Sequence, residues 1–281
     1  NNDQLSVSAG DTSDVDLVAT GNTMASTSIT PGSADFVVIS LLGSAFDTGF
    51  TFDSRIQNNN ITVANGVTAD GIAVFNAGGG AMNLLITGNS LAYGGTQRAI
   101  NLQTGQDGAG AVNVTATGNN IDVQLDGAGN AVNGILAQSG VADPSGAGSS
   151  ICADLGGAGA LANIFTHSLG GTLAGGDIRV RQRFNNNVRL PGYGGGTTDT
   201  AAVATYLDGR NTEVSASTAS HGGGTGTFTG GAACTQPSPL ANFDETASAG
   251  SKVSNWNSDL TTSQIDVAMA SVEINPTDVD W

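Results

Sequence analysis

Short apolar runs recur along the chain, each interrupted by a stretch that contains Gly or Asn. Within these runs apolar and polar residues alternate, and the three-to-four-residue spacing of an amphipathic helix is absent. The segment ITGNSLAY (86–93) is representative, because Gly88 and Asn89 divide it into two strand-like halves. A Gly-Asn pair between apolar runs is compatible with a two-residue hairpin. The local pattern therefore predicts short strands but does not say how they are joined.

Four copies of this segment align at nearly constant spacing. They read ATGNTM (19–24), IQNNNI (56–61), ITGNSL (86–91) and ATGNNI (116–121). The shared asparagines are Asn22, Asn59, Asn89 and Asn119, at intervals of 37, 30 and 30 residues. Each copy has Ala or Ile three positions before the Asn and Met, Ile or Leu two positions after it. A repeat of this period indicates a solenoid, in which one coil of strands stacks on the next.

Each copy is followed by a second apolar run and a Gly-rich turn. These runs are DFVVISLL (35–42), GIAVFNA (71–77), RAINLQT (98–104) and AVNGILAQ (131–138). One period is therefore a strand, an Asn-containing bend, a strand, a turn, a strand and a turn. We expect the repeated Asn to adopt the left-handed backbone of the bend and to hydrogen-bond its copies as a ladder. This is a structural role, and we prefer it to a ligand-binding one.

The repeated pattern [ILA]-T-G-N-x-[ILM], with its Gly-rich turns, resembles the right-handed parallel β-helix of the pectate-lyase-like superfamily. The resemblance covers roughly residues 12–185. It implies an all-β fold, a right-handed parallel β-helix. It implies no single activity, because that fold hosts lyases, hydrolases, adhesins and phage tailspikes.

The pattern changes after the fourth copy. In SSICADLGGAGALANIF (149–165), Ala158 takes the position of the Asn, so we expect the ladder to stop at Asn119. TTDTAAVATYLDGRN (197–211) is the one predicted helix, with Asp199 as N-cap and Gly209 as its stop. A helix over the last coil would cover its unpaired edges and its core side chains.

Residues 177–234 resemble the end of β-helix arrays in large secreted bacterial β-strand-repeat proteins. There, as here, an ICADL-like cysteine precedes the module and a GGAAC cysteine closes it. The resemblance implies a disulfide between Cys152 and Cys234 that pins a returning segment onto the last coil. From the residues alone, one disulfide in an oxidising compartment and two separate buried thiols both stay open.

The C-terminal segment is strand-like and carries no repeat Asn. Its apolar residues alternate from Ile265 through Val267 to Met269, so it needs a sheet edge in the same molecule or in a neighbour. We therefore divide the chain into β-helix coils (1–185), a disulfide-pinned cap with a short helix near 199–208 (186–240), and a strand-like extension (241–281).

The amino-acid composition argues against two classes of binding partner. The 281 residues include 42 glycines, only 11% are charged, and the formal net charge is −16. This charge argues against nucleic acid and anionic membranes, because no basic stripe exists to neutralise phosphates. No apolar stretch approaches the length of a membrane span, and the chain starts without a basic, apolar leader. We expect the mature form of an extracellular or cell-surface protein.

No catalytic set is recognisable. The carboxylate motifs of polysaccharide hydrolases are missing, and His167 and His221 lie in no Ser-His-Asp arrangement. Calcium is a candidate ligand at the turns TGQDGAG (104–110) and LDGAGN (125–130), which offer Asp and backbone carbonyls. We expect no other cofactor.

One polar feature is a possible ligand site. GGDIRVRQRF (175–184) alternates strictly and predicts a strand with Arg179, Arg181 and Arg183 on one face. These arginines could hold a glycan carboxylate. The alternative, which we prefer, is that they pair with Asp154, Asp177 or the acidic C-terminal segment.

The sequence therefore predicts a non-enzymatic, structural or adhesive β-helix of a bacterial surface. Strand-like ends that meet head to tail would build a filament, because a heterologous contact that does not close propagates. The alternative is a β-helix that binds or cleaves a polysaccharide.

Overall fold

Strands dominate the computed structural model, and all of them pair in parallel. The structure describes residues 5–26, 39–43, 49–105, 109–124, 133–140, 148–238 and 265–268. Each coil of the chain passes in turn through three sheets, here called A, B and C, and the next coil stacks on it. This is the all-β parallel solenoid that the repeat predicts.

The strands follow each other in each sheet in the order of the coils. Sheet A contains β1 (Leu5–Ala9), β4 (Ile39–Gly43), β7 (Ile72–Asn76), β10 (Arg98–Thr104), β13 (Asn133–Ser139), β16 (Ile178–Gln182) and β18 (Thr218–His221). Sheet B contains β20 (Ile265–Ala268), β2 (Asp14–Thr20), β5 (Thr51–Gln57), β8 (Ala81–Thr87), β11 (Ala111–Thr117), β14 (Ser150–Leu155), β17 (Asn187–Arg189) and β19 (Phe228–Thr229). Sheet C contains β3 (Thr23–Ser26), β6 (Asn60–Val63), β9 (Ser90–Tyr93), β12 (Asn120–Val123) and β15 (Ile164–Thr166).

The core forms because equivalent positions of successive coils lie directly above one another. Ile56, Ile86 and Ala116 are register partners in sheet B, and each has an exposed fraction of 0%. In a strand such as β2 alternate residues are buried, and their side chains pack against the inward side chains of the other two sheets. Burial of such columns along the whole stack supplies the main stabilising free energy.

The coils continue beyond residue 185, where the sequence analysis placed the start of the cap. Strands β17, β18 and β19 extend sheets A and B with the same parallel pairing. Ile164 and Thr212 form a further parallel bridge beside β15. The spacing of the repeat becomes irregular in this region, but the strands persist because their apolar residues still complete the core.

The predicted helix is present as α1 (Thr200–Asp208). The side chain of Asp199 accepts a hydrogen bond from the backbone N–H of Ala202 at 3.0 Å, as an N-cap does. The helix ends at Gly209 as the sequence predicts, and this residue has a right-handed φ of −70°. The helix buries Val203 and Leu207 and contacts β18, so it covers the C-terminal part of the core. Among the described residues, no helix is long and apolar enough to cross a membrane.

Candidate functional site

The four repeated asparagines form a hydrogen-bonded ladder at the bend between sheets B and C. Asn59 is typical: its backbone N–H and its Nδ2 both donate to Oδ1 of Asn89, each at 3.0 Å. The same Nδ2 also donates to the backbone oxygen of Ala19, at 2.8 Å. Asn22 donates to Asn59, and Asn89 donates to Asn119, with the same geometry. The interior amides have both donors and the acceptor oxygen occupied, which leaves no free group for a ligand.

The ladder continues beyond Asn119, although the sequence predicts that it ends there. Nδ2 of Asn119 donates to Oδ1 of Asn163 at 2.9 Å, and Nδ2 of Asn163 donates to Oδ1 of Asn211 at 3.0 Å. Ala158, which we aligned with the Asn position, instead precedes a short 3-10 helix (Gly159–Leu161) inside the bend. This enlarged bend moves the Asn five positions further along the chain and hides it from a search at fixed spacing.

The left-handed residue of the bend is the one before the ladder Asn, and not the Asn itself. The residues with positive φ are Gly21, Asn58, Gly88 and Gly118, with values between 54° and 70°. A Cβ on Gly88 would lie 2.5 Å from Oδ1 of Asn58, so a larger residue there would also displace that side chain. The Gly-Asn pair thus divides two tasks: the first residue turns the chain and the second joins the coils.

A disulfide joins Cys152 to Cys234 and holds the segment 231–238, here called the strap, against sheet B. Cys152 belongs to β14, and β17 and β19 lie beyond it in the same sheet. The disulfide therefore does not sit on the last coil, as the resemblance implied. Its place in the middle of the stack lets the strap run back from there along the outside of sheet B.

Hydrogen bonds show the path of the strap. Nε2 of Gln236 donates to Oγ1 of Thr115 on β11 at 2.6 Å, and the backbone N–H of Ser238 donates to Oδ2 of Asp53 on β5 at 2.6 Å. Three strand spacings separate β14 from β5, about 14 Å, which four extended residues can just span. The strap is thus extended across the strands and points to the N-terminal end of the stack.

The strand β20 lies at that end and pairs in parallel with β2. The register joins Val15 to Ile265, Asp16 to Asp266 and Leu17 to Val267. Sheet B therefore begins with a strand from the C-terminal segment, while sheets A and C begin with β1 and β3. The alternation at residues 265–269 predicts this strand. The sheet edge with which it pairs belongs to the same molecule.

Arg179 and Arg181 lie in β16, and Arg183 comes directly after it. Two of the acidic partners that we preferred for these arginines, Asp154 and Asp177, contact other residues. Asp154 forms an ion pair with Arg210 at 2.5 Å. Burial raises the pKa of Asp154, and the Arg210 guanidinium opposes that shift. Asp177 is fully buried and lies 2.7 Å from Nε2 of His167. Pairing with these two carboxylates is therefore the wrong explanation for the arginines.

The two histidines have contacts that hold loops in place. Nδ1 of His167 lies 2.9 Å from the backbone oxygen of Gly171, so both of its ring nitrogens are engaged. The other oxygen of Asp177 accepts from the backbone N–H groups of Val214 and Ser215. Nε2 of His221 lies 2.9 Å from the backbone oxygen of Gly226. These contacts tie neighbouring turns together.

Two carboxylates lie close together at the C-terminal end of α1, the exposed Asp208 and the half-buried Glu213. Oε1 of Glu213 accepts a hydrogen bond from the hydroxyl of Ser217 at 2.6 Å, and the backbone N–H of Ser217 donates to Asp208. Burial and a hydrogen bond shared with Asp208, together with the charges of Asp208 and Asp177, raise the pKa of Glu213 to about 8. These surroundings favour the protonated form of the Glu213 carboxyl.

No cluster of three or more possible metal-ligating side chains occurs within the described ranges. The calcium prediction is centred on the turns at 104–110 and 125–130, and residues 106–108 and 125–130 lie outside the described residues.

Comparison of the chain with protein-family models, with curated proteins and with solved structures finds no match. The structure supports a parallel β solenoid, and the assignment to a particular superfamily has no support beyond the repeat pattern itself.

Proposed function

We propose that the protein is an extracellular structural and adhesive element of a bacterial surface, and that its copies join end to end by strand exchange. The observation that carries the proposal is the parallel pairing of β20 with β2. A strand that completes a sheet edge in its own molecule completes the same edge in a second copy with the same hydrogen bonds.

The length of the connection supports exchange. Ser238 contacts β5, and β20 pairs with β2, which is the neighbouring strand of the same sheet. The 26 residues between Ser238 and Ile265 can nevertheless span about 90 Å when extended. The stack from β2 to β19 is only about 29 Å high. The connection is therefore long enough for β20 of one copy to reach the first coil of the next.

The two ends of the stack also differ in a way that favours a directional contact. Helix α1 covers the core at the C-terminal end. At the N-terminal end, β1 and β3 are the first strands of sheets A and C among the described residues. A donated β20 would align these edges with the neighbour, and since the contact uses different surfaces on the two copies it would propagate.

An extracellular location is supported by the disulfide between Cys152 and Cys234, because such bonds persist in oxidising compartments. The polar, sparsely charged composition agrees with a secreted β protein.

The test is the mass of the protein in solution as its concentration rises. Sedimentation velocity and negative-stain electron microscopy should show growing oligomers and then fibres. The variant Asp266→Pro/Val267→Pro should stay monomeric, because proline cannot donate to a strand ladder. The control Ser254→Pro/Asn255→Pro changes the connection and should assemble as the unmodified protein does. A strictly monomeric unmodified protein at high concentration would contradict the proposal.

A further inference from the structure

Four arginines lie near one another at sheet A, and two of them point outward from one of its strands. Arg179 and Arg181 point outward from β16, and Arg183 follows the end of that strand. Arg98 begins β10, two strands away, and its charge acts on Arg181. We call Arg98, Arg179, Arg181 and Arg183 the arginine cluster. It gathers four of the eight basic residues of a chain with a net charge of −16.

No carboxylate within the described ranges forms an ion pair with the cluster. The two ion pairs found there are Asp154 with Arg210 and Asp177 with His167. Asp70 lies close to Arg98, but its oxygens accept hydrogen bonds from the backbone N–H of Arg98 and from Nδ2 of Asn101. The charges of Arg183, Arg179 and Arg98 therefore act on Arg181 without an opposing ion pair among the described residues.

This arrangement is unfavourable without a partner. The Nε atoms of Arg98, Arg181 and Arg183 are shielded from solvent and have no hydrogen-bond acceptor. Burial, followed by repulsion from Arg183, Arg179 and Arg98, lowers the pKa of Arg181 to about 10. Unpaired donors and like charges in a partly desolvated place destabilise a fold unless something compensates them.

The neighbouring surface is polar and held in a fixed arrangement. Gln138 is the register partner of Arg181, and its Nε2 donates to Oε1 of Gln103 at 3.3 Å. Nε2 of Gln103 donates in turn to Oδ1 of Asn101 at 2.7 Å. These amides direct their donors away from β16 and to Asp70. The arginine cluster thus borders a row of polar side chains that hydrogen bonds hold in place.

We propose that the arginine cluster is a binding site for an oxyanion, a carboxylate, sulfate or phosphate group, either free or carried by an acidic polymer. Guanidinium groups donate two parallel hydrogen bonds to such a group, and the unpaired Nε atoms are the donors that this geometry uses. The bound anion would remove the mutual repulsion of the four charges. The proposal does not depend on end-to-end assembly.

The chain's own acidic C-terminal segment is the competing occupant. Its described strand, β20, lies in the first coil, and β16 belongs to the sixth coil of sheet A. Five coil spacings, about 24 Å along the stack, separate them. The carboxylates of β20 itself therefore lie away from the cluster, and the neutralised variants below test those that precede β20.

The test is equilibrium dialysis of the full chain against radiolabelled sulfate, and separately against phosphate. The protein should bind close to one anion per chain, and Arg181→Gln should weaken binding about tenfold, because one bidentate charge-assisted contact is lost. The matched control is Arg189→Gln, on the outer face of sheet B, which should bind as the unmodified protein does. Equal weakening by both variants, or no binding at all, would overturn the proposal.

Two further experiments identify the source of the anion and test whether the chain's own acidic segment occupies the cluster. Sulfated dextran and polyglutamate competing with the labelled anion would assign the site to an acidic polymer, and competition by free anions alone would assign it to small ions. Neutralising Asp244, Glu245 and Asp259 together to Asn or Gln should leave sulfate binding unchanged. A clear rise in binding would show that the chain's own segment occupies the cluster and would overturn the proposal.

Discussion

Nδ2 of Asn119 donates to Oδ1 of Asn163 at 2.9 Å, although 44 residues separate them along the chain. This contact links the regular coils to the enlarged ones, and the ladder then ends at Asn211. The same side chain thus joins six successive coils in spite of insertions at the bend. The ladder is a continuous structural element, so its middle should matter more than its end.

Asn89→Ala should destabilise the protein more than Asn22→Ala. Asn89 is fully buried, and its removal leaves two donors of Asn59 and the backbone oxygen of Ile56 without partners. Each such group costs about 1–3 kcal/mol, so we expect a loss of about 3 kcal/mol or more. Asn22 ends the ladder and is half-buried, so its loss should cost about 1 kcal/mol. Urea unfolding measures both. Equal losses would show that the buried ladder bonds do not carry the stability.

Removing the disulfide should loosen the strap before the coils. The bond joins residues 82 positions apart, so the chain-entropy model gives about 4 kcal/mol for Cys152→Ala/Cys234→Ala. Hydrogen exchange should rise first at the amide of Ser238, which donates to Asp53. Gln236→Ala, which removes the hydrogen bonds from Nε2 to Thr115 and to the backbone oxygen of Cys234 and keeps the disulfide, should cost about 1 kcal/mol. A double variant with unchanged exchange at Ser238 would mean that the strap is held by other contacts.

The free energy of unfolding should decrease as pH rises, because of Glu213. Its pKa is raised in the folded state to about 8 from an ordinary value of 4.5, so between these values the folded state binds more protons than the unfolded state. Its favourable contribution is complete below pH 4.5 and is lost as pH rises through 8. Glu213→Gln should remove this part of the pH dependence and gain most relative to the unmodified protein above pH 8.

The measurement is urea unfolding at intervals from pH 4 to pH 9. Asp14→Asn, which removes an exposed carboxylate on β2, is the control and should keep the slope of the unmodified protein. An identical slope in Glu213→Gln would exclude Glu213 as the source of the pH dependence.

The regular coils could be predicted from the sequence because periodicity reports local alternation. The run RAINLQT (98–104) is the strand β10, and Asp199 is the N-cap of the one α-helix in the described part of the chain. Asn163 was missed because an insertion moved it out of phase, although Phe165 two positions later is buried as the repeat requires. Aligning on the apolar residue as well as on the Asn could have found it.

Contacts that depend on the order of the coils could not be predicted. Arg98 and Arg181 lie far apart in the chain, and the charge of one acts on the other only because β10, β13 and β16 are successive strands of sheet A. The strap contacts Asp53 across 185 residues and adds no strand, so no periodic signal marks it. Periodicity likewise does not predict the partners of Asp154 and Asp177.

Strand exchange between copies is tested most directly by mixing two cysteine variants. Asp16 and Asp266 are register partners in the pairing of β2 with β20. We mix Asp16→Cys with Asp266→Cys at high concentration, oxidise mildly, and measure the mass of the disulfide-linked product without reduction. We expect a linked dimer of the two variants, and much less of it when Asp11→Cys, outside β2, replaces Asp16→Cys. Absence of the mixed dimer, while Asp16→Cys/Asp266→Cys in one chain forms its bond within the monomer, would contradict assembly through β20.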